Sequence, residues 1–280
     1  MRYSREEVLR QLRGEVAAGK PIVVAGAGTG ISAKFAEAGG ADLIVIYNSG
    51  RYRMAGHSSV AGLMAYGDAN QIVYEMGNRE VLPVVKKTPV IAGVNGTDPT
   101  RQMDHFLGRL DDLGFSGVIN FPTVGLIDGR IRAELEATGL GFEREIEMIR
   151  LARKRSFFTM VYVFTPEEAR LMADAGADVI VAHLGTTVGG TTGMGKEASV
   201  ALERAPGQVD AIGAAAKEIN REVLVLSHGG PIATPEDARY VLERCDAVGF
   251  VGASSMERLP VETAISGTTR RFKDIQIRRR

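Results

Sequence analysis

The sequence predicts an α/β protein, a (β/α)8 TIM barrel with an extra helix at its N-terminus. Eight short apolar runs recur along the 280 residues, and each is followed by Gly, Asn, Thr or Ser and then by a helical pattern. The runs are almost continuously apolar, as parallel strands covered on both faces must be. Their mean spacing of roughly 30 residues also suits a barrel of about 250 residues. A doubly wound open sheet is the alternative.

The predicted strands alternate with helices along the whole chain. The segment 4–18 precedes the first strand and carries Val8, Leu9, Leu12 and Val16 at helical spacing. We expect this helix to cap the barrel floor. The strands are predicted at residues 21–26, 41–48, 89–95, 116–121, 157–164, 177–185, 222–230 and 246–252.

Two of the later helices have clear start signals. Thr165-Pro166 and Thr234-Pro235 each offer an N-cap hydroxyl followed by a proline at the first helical position. The front of the long segment after the second strand has no such signal, and we predict an extended loop there until a helix starts near Asp68. A loop of that length at a strand end is typical of a functional or mobile segment.

Composition limits the class of protein. With 45% apolar residues the chain has material for a large core, and we predict one barrel domain over residues 1–280. Lys and Arg total 34, as do Asp and Glu, so there is no basic excess for binding nucleic acid. No apolar run approaches the roughly 20 residues of a membrane-spanning helix. The single cysteine, Cys245, cannot form an internal disulfide, which fits a cytoplasmic protein.

Two histidines lie where a barrel enzyme carries its chemistry. The carboxyl ends of the strands and the loops after them form the ligand site in such barrels. His183 and His228 end the sixth and seventh strands, which are neighbours in a closed barrel. Because histidine titrates near neutral pH, either could act as a general acid or base. A structural histidine is the alternative, and His57 and His105 lie away from the strand ends.

Three asparagines end the second, third and fourth strands. Asn48, Asn95 and Asn120 each offer a donor and an acceptor without charge, which suits a carboxylate or an enolate. Asparagine also caps helices and stabilises turns, so a structural role is the alternative. We take Asn95 and Asn120 as candidate catalytic residues and Asn48 as a candidate substrate ligand.

Glycine- and serine-rich turns after the last two strands predict an anion site. Barrels of this kind commonly hold phosphate on backbone N–H groups at this position, and glycine lets the backbone approach an anion closely. Glycines needed only for tight turns are the alternative. The candidate substrate-binding residues are Gly28, Asn48, Arg51, Gly185, Gly229, Gly230, Gly252, Ser254 and Ser255.

Asp98 is the main candidate ligand for a divalent metal. Asp98 follows the third strand, and together with Asp128 and Glu143 it would supply the oxygen ligands that Mg²⁺ prefers. The spacing is not the compact one of a dedicated site, and a turn aspartate before Pro99 is the alternative.

The loop after the sixth strand is rich in Gly and Thr. Residues 190–196 match the G-x-x-x-x-G-K pattern of a phosphate loop, but Glu197 stands where Ser or Thr would hold Mg²⁺. We interpret the loop as a mobile lid whose N–H groups close over an anion. A nucleotide loop and a plain connector are the alternatives. Arg51, Arg53 and Lys196 are candidate charge partners of that anion.

Six segments together resemble a known family. They are PIVVAGAGTGISAK from residue 21, NGTDP from 95, NFPTVGLIDG from 120, AHLGTTVGG from 182, SHGGPI from 227 and GFVGASSMERLP from 249. On these segments the chain resembles the phosphoenolpyruvate hydrolase-like TIM-barrel family. That family is grouped with phosphoenolpyruvate/pyruvate barrels and is similar to the C-terminal domain of a plant viral-resistance protein.

The resemblance implies an enzyme. Its reaction would be the hydrolysis or cleavage of a small phosphorylated or carboxylated metabolite of the phosphoenolpyruvate or phosphonopyruvate type. Relatives of the mutase and phosphonopyruvate hydrolase type carry an Asp-x-Asp-x-Gly metal motif, whereas this sequence has GVNGTDP at 93–99 with Asp98 alone. The Gly-Glu-Asp-Lys loop of the mutases is also missing.

The polar residues predicted at the strand ends leave other functions open. A barrel that binds a nucleotide or phosphometabolite without turnover is the main alternative. A third possibility is an isomerase or an aldolase on the same barrel, which would need a Schiff-base lysine at a strand end, a place that only Lys196 could reach by folding inward. The expected partners are a small anionic metabolite and further copies of the chain in a homo-oligomer, with neither nucleic acid nor a membrane.

Overall fold

The computed structural model describes residues 2–278 and confirms the predicted barrel. Eight parallel strands follow one another around a closed sheet in chain order, and the last pairs with the first through Gly249 and Ile22. That pairing rules out the open sheet. The strands are β1 Ile22–Gly26, β2 Leu43–Ile46, β3 Val90–Val94, β4 Gly117–Asn120, β5 Phe158–Val163, β6 Val179–His183, β7 Leu224–His228 and β8 Gly249–Gly252.

Helices surround the barrel in the described part of the chain. Their apolar faces and the outward side chains of the strands form one continuous core. The helices are α1 Arg5–Ala17, α2 Gly30–Ala38, α3 Asn48–Met54, α4 Ala69–Met76, α5 Met103–Leu113, α6 Gly129–Ala137, α7 Glu143–Lys154, α8 Pro166–Asp174, α9 Ala205–Ile219, α10 Pro235–Leu242 and α11 Arg258–Lys273. Among residues 2–278, no helix combines the length and the apolar character that crossing a membrane requires.

Helix α1 closes the amino-terminal end of the barrel, as its apolar spacing predicts. Ser4 caps the helix, and its backbone and side chain exchange hydrogen bonds with Glu7 in a capping box. Arg5 donates to Asp178, just before β6, at 2.7 and 2.9 Å. The Tyr3 hydroxyl donates to the backbone carbonyl of Lys87, before β3, at 2.7 Å. These contacts hold the helix against the floor.

The predicted helix starts are also confirmed. Thr165 accepts the backbone N–H of Glu168, and Thr234 accepts that of Asp237, each with proline at the first helical position. Asp68 caps α4 in the same way, so that helix starts where the sequence predicts.

The prediction of an extended loop after β2 is wrong. Residues 48–54 form α3, and a short 3-10 helix follows at Ser59–Leu63. Asn48, Ser49 and Gly50 are poor helix formers, so local propensity gives no sign of this helix. Tertiary contact decides instead: a Cβ atom on Gly28 would lie 2.0 Å from the carbonyl oxygen of Gly50, so the two backbones touch.

Candidate active site

A small cavity opens at the carboxyl ends of the strands. Its volume of about 50 Å³ has room for only a few water molecules. Side chains from six of the strand ends and from the loops after them meet there, although they are far apart in sequence. The lining residues are Tyr47, Ser49, Arg53, Ser59, Val60, Leu63, Phe121, Leu126, Tyr162, His183, Thr186, Thr187, His228, Ala253 and Ser254.

His183 and His228 stand side by side in this cavity. They are opposite one another in the β6–β7 register, and their ring centroids are 4.6 Å apart at an angle of 76°. His228 Nδ1 lies 2.6 Å from the carbonyl oxygen of Val251 and therefore carries a hydrogen that it donates. His183 Nδ1 accepts the backbone N–H of Gly185 at 3.0 Å. In their neutral forms, His228 thus keeps a lone pair on Nε2, whereas His183 keeps a hydrogen there.

Burial keeps both imidazoles neutral. It lowers the pKa of His228 to about 4, and the positive charge of Arg53 acts in the same direction. Burial, together with the neighbouring His228, lowers the pKa of His183 well below its ordinary value. The pair therefore presents one acceptor nitrogen and one donor nitrogen at neutral pH.

Tyr162 supplies a hydroxyl to the same cavity. Its ring contacts both imidazoles, with centroids 4.9 Å from His183 and 5.0 Å from His228. Only 1% of the residue is exposed, and its hydroxyl has no partner at hydrogen-bond distance within residues 2–278, although the Tyr47 hydroxyl lies near enough to act on its pKa. Burial raises the pKa of Tyr162 well above its usual value, so the hydroxyl stays protonated. The Tyr162 hydroxyl is therefore a protonated donor at the wall of the cavity.

Arg53 is the one cationic side chain that lines this cavity in the described part of the chain, and its charge is balanced. Its Nε and Nη2 atoms donate to one oxygen of Glu257 at 2.9 and 2.6 Å. The other oxygen of Glu257 accepts the backbone N–H of Gly28 at 2.6 Å. Both charged side chains are almost fully buried. This ion pair joins α3 to the turn after β8.

The Gly/Thr-rich loop after β6 covers one side of the mouth. Thr186 and Thr187 line the cavity. Farther along, Thr191 donates from its hydroxyl to Glu262 at 2.6 Å, and Arg258 donates to the carbonyl of Gly189 at 3.0 Å. The loop is therefore fastened to the first turns of α11.

This segment lacks the helix N-terminus that a phosphate loop requires. Lys196 is exposed and begins a 3-10 turn of three residues, Lys196–Ala198, rather than an α-helix. A phosphate loop needs a helix N-terminus at that place.

Comparison with known proteins assigns the family. The sequence profile of the phosphoenolpyruvate hydrolase-like family matches residues 7–275. The chain belongs to the phosphoenolpyruvate hydrolase-like family. The resemblance of the six sequence segments is thereby confirmed.

Curated relatives in this family are longer than the chain. It is 56% identical over 271 residues to the ToMV susceptible protein tm-1(GCR26) of Solanum lycopersicum, a match that covers 96% of this chain and 36% of that protein. It is 56% identical over 274 residues to the ToMV resistance protein Tm-1(GCR237) of the same plant, covering 98% and 36%. The chain thus spans about a third of the length of these relatives.

Solved structures share the fold of this phosphoenolpyruvate hydrolase-like chain. Phosphoenolpyruvate phosphomutase from Streptomyces platensis subsp. rosaceus superposes with a TM-score of 0.61 at 17% identity, covering 95% of this chain and 88% of that one. Phosphonopyruvate hydrolase in complex with oxalate and Mg²⁺ gives 0.58 at 19% identity, covering 95% and 87%. At such identities the likeness shows the fold alone.

Among the predicted site residues, the structure brings His183, His228 and Ser254 together in the cavity. Four glycines support this group from behind. Gly185 donates to His183, and the N–H of Gly230 donates to the carbonyl of Gly185 at 2.7 Å. Gly229 follows His228 with a left-handed backbone, and Gly252 ends β8 just before Ala253.

The predicted asparagines do not line the cavity, because their side chains make hydrogen bonds to other parts of the protein. Asn48 donates to the carbonyl of Gly62 at 2.8 Å. Asn95 accepts the hydroxyl of Thr97 and borders a separate depression. Asn120 donates to Glu145 at 2.6 Å and holds the backbone of Tyr162 through two hydrogen bonds. Asn120 therefore supports the cavity from below without lining it.

Arg51, Ser255 and Gly28 also need correction. Arg51 and Arg53 are two residues apart on a helix, and such residues do not share a face. Arg51 is consequently half-exposed and pairs with Glu80 at 2.5 Å, so the cationic role moves to Arg53. Ser255 lines a groove on the outer wall, and Gly28 is held by Glu257.

Asp98 does not fit a divalent metal. Its oxygens accept from Thr100, Asn70 and Arg101, the last at 2.6 Å, so cations and amide donors already satisfy them. These hydrogen bonds lower its pKa to about 2 against the opposing effect of burial. Across residues 2–278, no three His, Cys, Asp or Glu side chains are grouped to hold a metal ion. The donor set for Mg²⁺ is missing from the mouth.

Sequence reasoning missed two members of the site for identifiable reasons. Glu257 lies five residues beyond β8, outside any strand end, and only its contact with Arg53 reveals it. Tyr47 belongs to the predicted apolar run 41–48, yet its ring lines the mouth with its centroid 4.7 Å from that of Phe121. The pairing of Arg53 with Glu257 identifies both residues as members of the site, and neither the segment around Arg53 nor the segment around Glu257 shows that pairing by itself.

Proposed function

We propose that this protein is an enzyme that hydrolyses or cleaves a small carboxylated or phosphorylated metabolite of the phosphoenolpyruvate type at the barrel mouth. The observation that carries the proposal is the pair of neutral histidines with opposite free Nε2 functions. Membership of the phosphoenolpyruvate hydrolase-like family and the fold of its structural neighbours support the enzyme class.

His228 acts as the general base in this proposal. Its Nε2 lone pair is free because Nδ1 donates to Val251, and its lowered pKa keeps it unprotonated near neutral pH. A base must be in this form before it takes a proton. The bond to Val251 also fixes the ring plane, so the base is oriented before substrate arrives.

His183 and Tyr162 supply hydrogen-bond donors. His183 carries its hydrogen on Nε2, and the Tyr162 hydroxyl is protonated and unpartnered. Fixed donors aimed at an oxygen that gains negative charge in the transition state stabilise that charge strongly in a buried site. Both are held by strands, which keeps their geometry fixed.

Substrate recognition rests on Arg53 and the turn after β8. Arg53 presents a guanidinium whose charge Glu257 offsets, and Ser254 lines the same cavity from the turn after β8. The backbone N–H of Ser254 makes no backbone hydrogen bond within the described residues, and a free N–H at such a turn suits a carboxylate or phosphate oxygen. Because Arg53 is the one cationic side chain that lines the cavity among the described residues and Glu257 offsets its charge, the site suits a small anion rather than a highly charged one.

Access requires movement of the Gly/Thr-rich loop. The cavity of about 50 Å³ is smaller than a phosphoenolpyruvate-sized molecule, whose pocket would need several times that volume. Thr186 and Thr187 lie on the covering side, so outward displacement of the segment they begin would open the mouth. The same segment would exclude water after closing.

The direct test is turnover by the purified chain. Phosphoenolpyruvate, phosphonopyruvate and oxaloacetate are each incubated with the protein in EDTA and in Mg²⁺, and products are followed by ¹H and ³¹P NMR. We expect turnover of at least one compound, retained in EDTA, and a loss of about 100-fold or more in His228→Asn. The matched control is His105→Asn, an exposed histidine outside the site.

A binding module without chemistry predicts a different result. In that case a compound raises the Tm of the wild type and not of His228→Asn, while no compound is converted under any condition. That result would replace the enzyme proposal with the non-catalytic barrel.

A further inference from the structure

The cavity at the barrel mouth has two chemically different sides. The two histidines and the hydroxyl of Tyr162 make one side polar. The other side carries three aliphatic side chains, which form what we call the aliphatic wall: Val60, Leu63 and Leu126. The proposed chemistry uses the polar side and leaves the aliphatic wall without a role.

The topology of the barrel separates the two sides. In a closed barrel of eight strands, β6 and β7 lie opposite β2 and β3. The histidines end β6 and β7, whereas the aliphatic wall belongs to two short 3-10 helices in the loops after β2 and β4, Ser59–Leu63 and Val124–Leu126. A ligand between the two sides therefore meets the histidines with one part and aliphatic carbon with another.

Hydrogen bonds from buried groups hold the aliphatic wall in place. Asn48 donates to the carbonyl of Gly62 at 2.8 Å, and the Ser49 hydroxyl donates to the carbonyl of Ser59 at 2.7 Å. The N–H of Val124 donates to the buried carboxylate of Glu145 at 2.8 Å. The wall is thus formed before a ligand arrives, as in most small-molecule sites.

The aliphatic wall keeps part of its surface open to the mouth. Val60 is 42% exposed, and Leu63 and Leu126 are partly exposed. Apolar side chains that line a binding site gain free energy by covering apolar parts of the ligand. The wall therefore suits an alkyl group and not a second charged group.

The charge at the mouth matches a single carboxylate. Arg53 is the one cation among the described residues that line the cavity, and Glu257, beyond the end of β8, holds it. The cationic end of the site is thereby anchored on the β8 side. A second negative group on the same ligand would lie against aliphatic carbon, where no counter-charge offsets its loss of water.

We propose that the substrate is a small monocarboxylate that carries an aliphatic group, and that Val60, Leu63 and Leu126 select that group. The inference rests on the proposed function and narrows its substrate class. The carboxylate contacts Arg53 and the turn after β8, the reacting carbon faces His228, and the aliphatic group lies on the wall. The displacement of the Gly/Thr-rich loop that admits a substrate leaves the wall in place, because the wall belongs to other loops.

Two 2-oxo acids of matched shape test the selectivity. 4-Methyl-2-oxopentanoate and oxaloacetate differ only in an isopropyl group that replaces the second carboxylate. Because each buried methylene group strengthens binding about fourfold, we expect the purified chain to bind 4-methyl-2-oxopentanoate about 10-fold or more tightly than oxaloacetate. Isothermal titration calorimetry measures both dissociation constants without requiring turnover.

A pair of variants on one segment tests the aliphatic wall itself. Val60→Arg places a cation on the wall and should reverse the preference, so that oxaloacetate binds more tightly than 4-methyl-2-oxopentanoate. Met64→Arg is the matched control, because Met64 is 55% exposed on the same segment and borders a separate depression. It should keep the wild-type preference. Both side chains are exposed, so both variants should unfold within about 2 °C of the wild type.

The outcomes separate this inference from the proposed function. Equal or tighter binding of oxaloacetate by the wild type overturns the selectivity, as does equal behaviour of the two variants or the absence of binding by both compounds at millimolar concentration. Turnover of oxaloacetate without the expected preference would refute the aliphatic selectivity and leave the enzyme in place. The expected preference without turnover of any compound would refute the enzyme and leave the selectivity in place.

Discussion

Glu257→Gln removes the charge that balances Arg53 at the barrel mouth. The substitution keeps the shape of the side chain but leaves a buried guanidinium without a counter-charge. It also places an amide NH₂ group beside one of the two oxygen positions that three N–H donors occupy between them. Breaking one partner of a buried ion pair costs about 3–5 kcal/mol. For 280 residues the unfolding entropy near Tm is about 0.6 kcal/mol/K, so Tm should fall by about 5–9 °C.

The control is the ion pair of Arg51, which also lies on α3, with Glu80. Arg51 and Glu80 make a contact of nearly the same length, but both side chains are 36% exposed. Such exposed pairs contribute less than about 1 kcal/mol, so Glu80→Gln should lower Tm by at most about 2 °C. Thermal unfolding followed by circular dichroism measures both shifts.

The double variant Arg53→Met, Glu257→Gln separates charge from packing. Removing the guanidinium as well relieves the uncompensated charge, so the double variant should be more stable than Glu257→Gln alone. If Glu257→Gln and Glu80→Gln shift Tm equally, burial does not govern this ion pair and the reasoning is wrong.

Three further predictions concern titration and the buried hydroxyl. His228 has a folded pKa of about 4, which is below its unfolded value. The unfolded chain therefore binds more protons than the folded chain between about pH 6.5 and pH 4. The free energy of unfolding should fall by about 3 kcal/mol as pH drops through that window. Urea unfolding at pH 7 and pH 4.5 should show this loss in the wild type and a smaller one in His228→Asn; parallel losses would contradict it. Glu145 has the opposite sign, because burial raises its pKa to about 7, so its contribution is present below the unfolded pKa and is lost as pH rises through about 7. Glu145→Gln should therefore reduce the decline in Tm between pH 5.5 and pH 8.5, and an unchanged slope would argue against a titrating Glu145. Tyr162→Phe removes a hydroxyl that has no partner, so Tm should stay within about 2 °C of the wild type while kcat/KM falls by about 10-fold or more; a matching loss of Tm would indicate a structural hydroxyl instead.

The barrel itself is predictable from the sequence because its signals are local. Continuous apolar runs, proline after a capping threonine, and glycine at strand ends each act over a few residues, and they place all eight strands and the starts of α8 and α10 correctly. The two histidines follow from the same logic, since the carboxyl ends of the strands of a closed barrel meet at one mouth.

Helix α3 shows where local signals stop. Its residues favour a loop by propensity, yet contact between Gly28 and Gly50 and the ion pair between Arg53 and Glu257 hold it as a helix. The choice between Arg51 and Arg53 depends on that helix, because a helical turn sends residues two apart to different faces. The sequence pattern therefore does not predict which of the two arginines reaches the cavity.

The roles of the asparagines were decided in the same way. Position at a strand end brings Asn120 near the mouth, but its amide is used by Glu145 and by the backbone of Tyr162. Whether a polar group faces a ligand or a neighbouring backbone depends on which donors and acceptors approach it from other elements. For Asn120 these partners are Glu145 and Tyr162, which lie 25 and 42 residues farther along the chain.

The sequence by itself determined the barrel, the ends of its strands and the two histidines that stand there, because apolar periodicity and capping are encoded within single segments. Only the tertiary structure decided the tautomers of those histidines, the pairing of Arg53 with Glu257 and the exposed position of α11. Each of these depends on an atom contributed by a distant segment, and hydrogen bonding and burial take effect only when folding brings the two together.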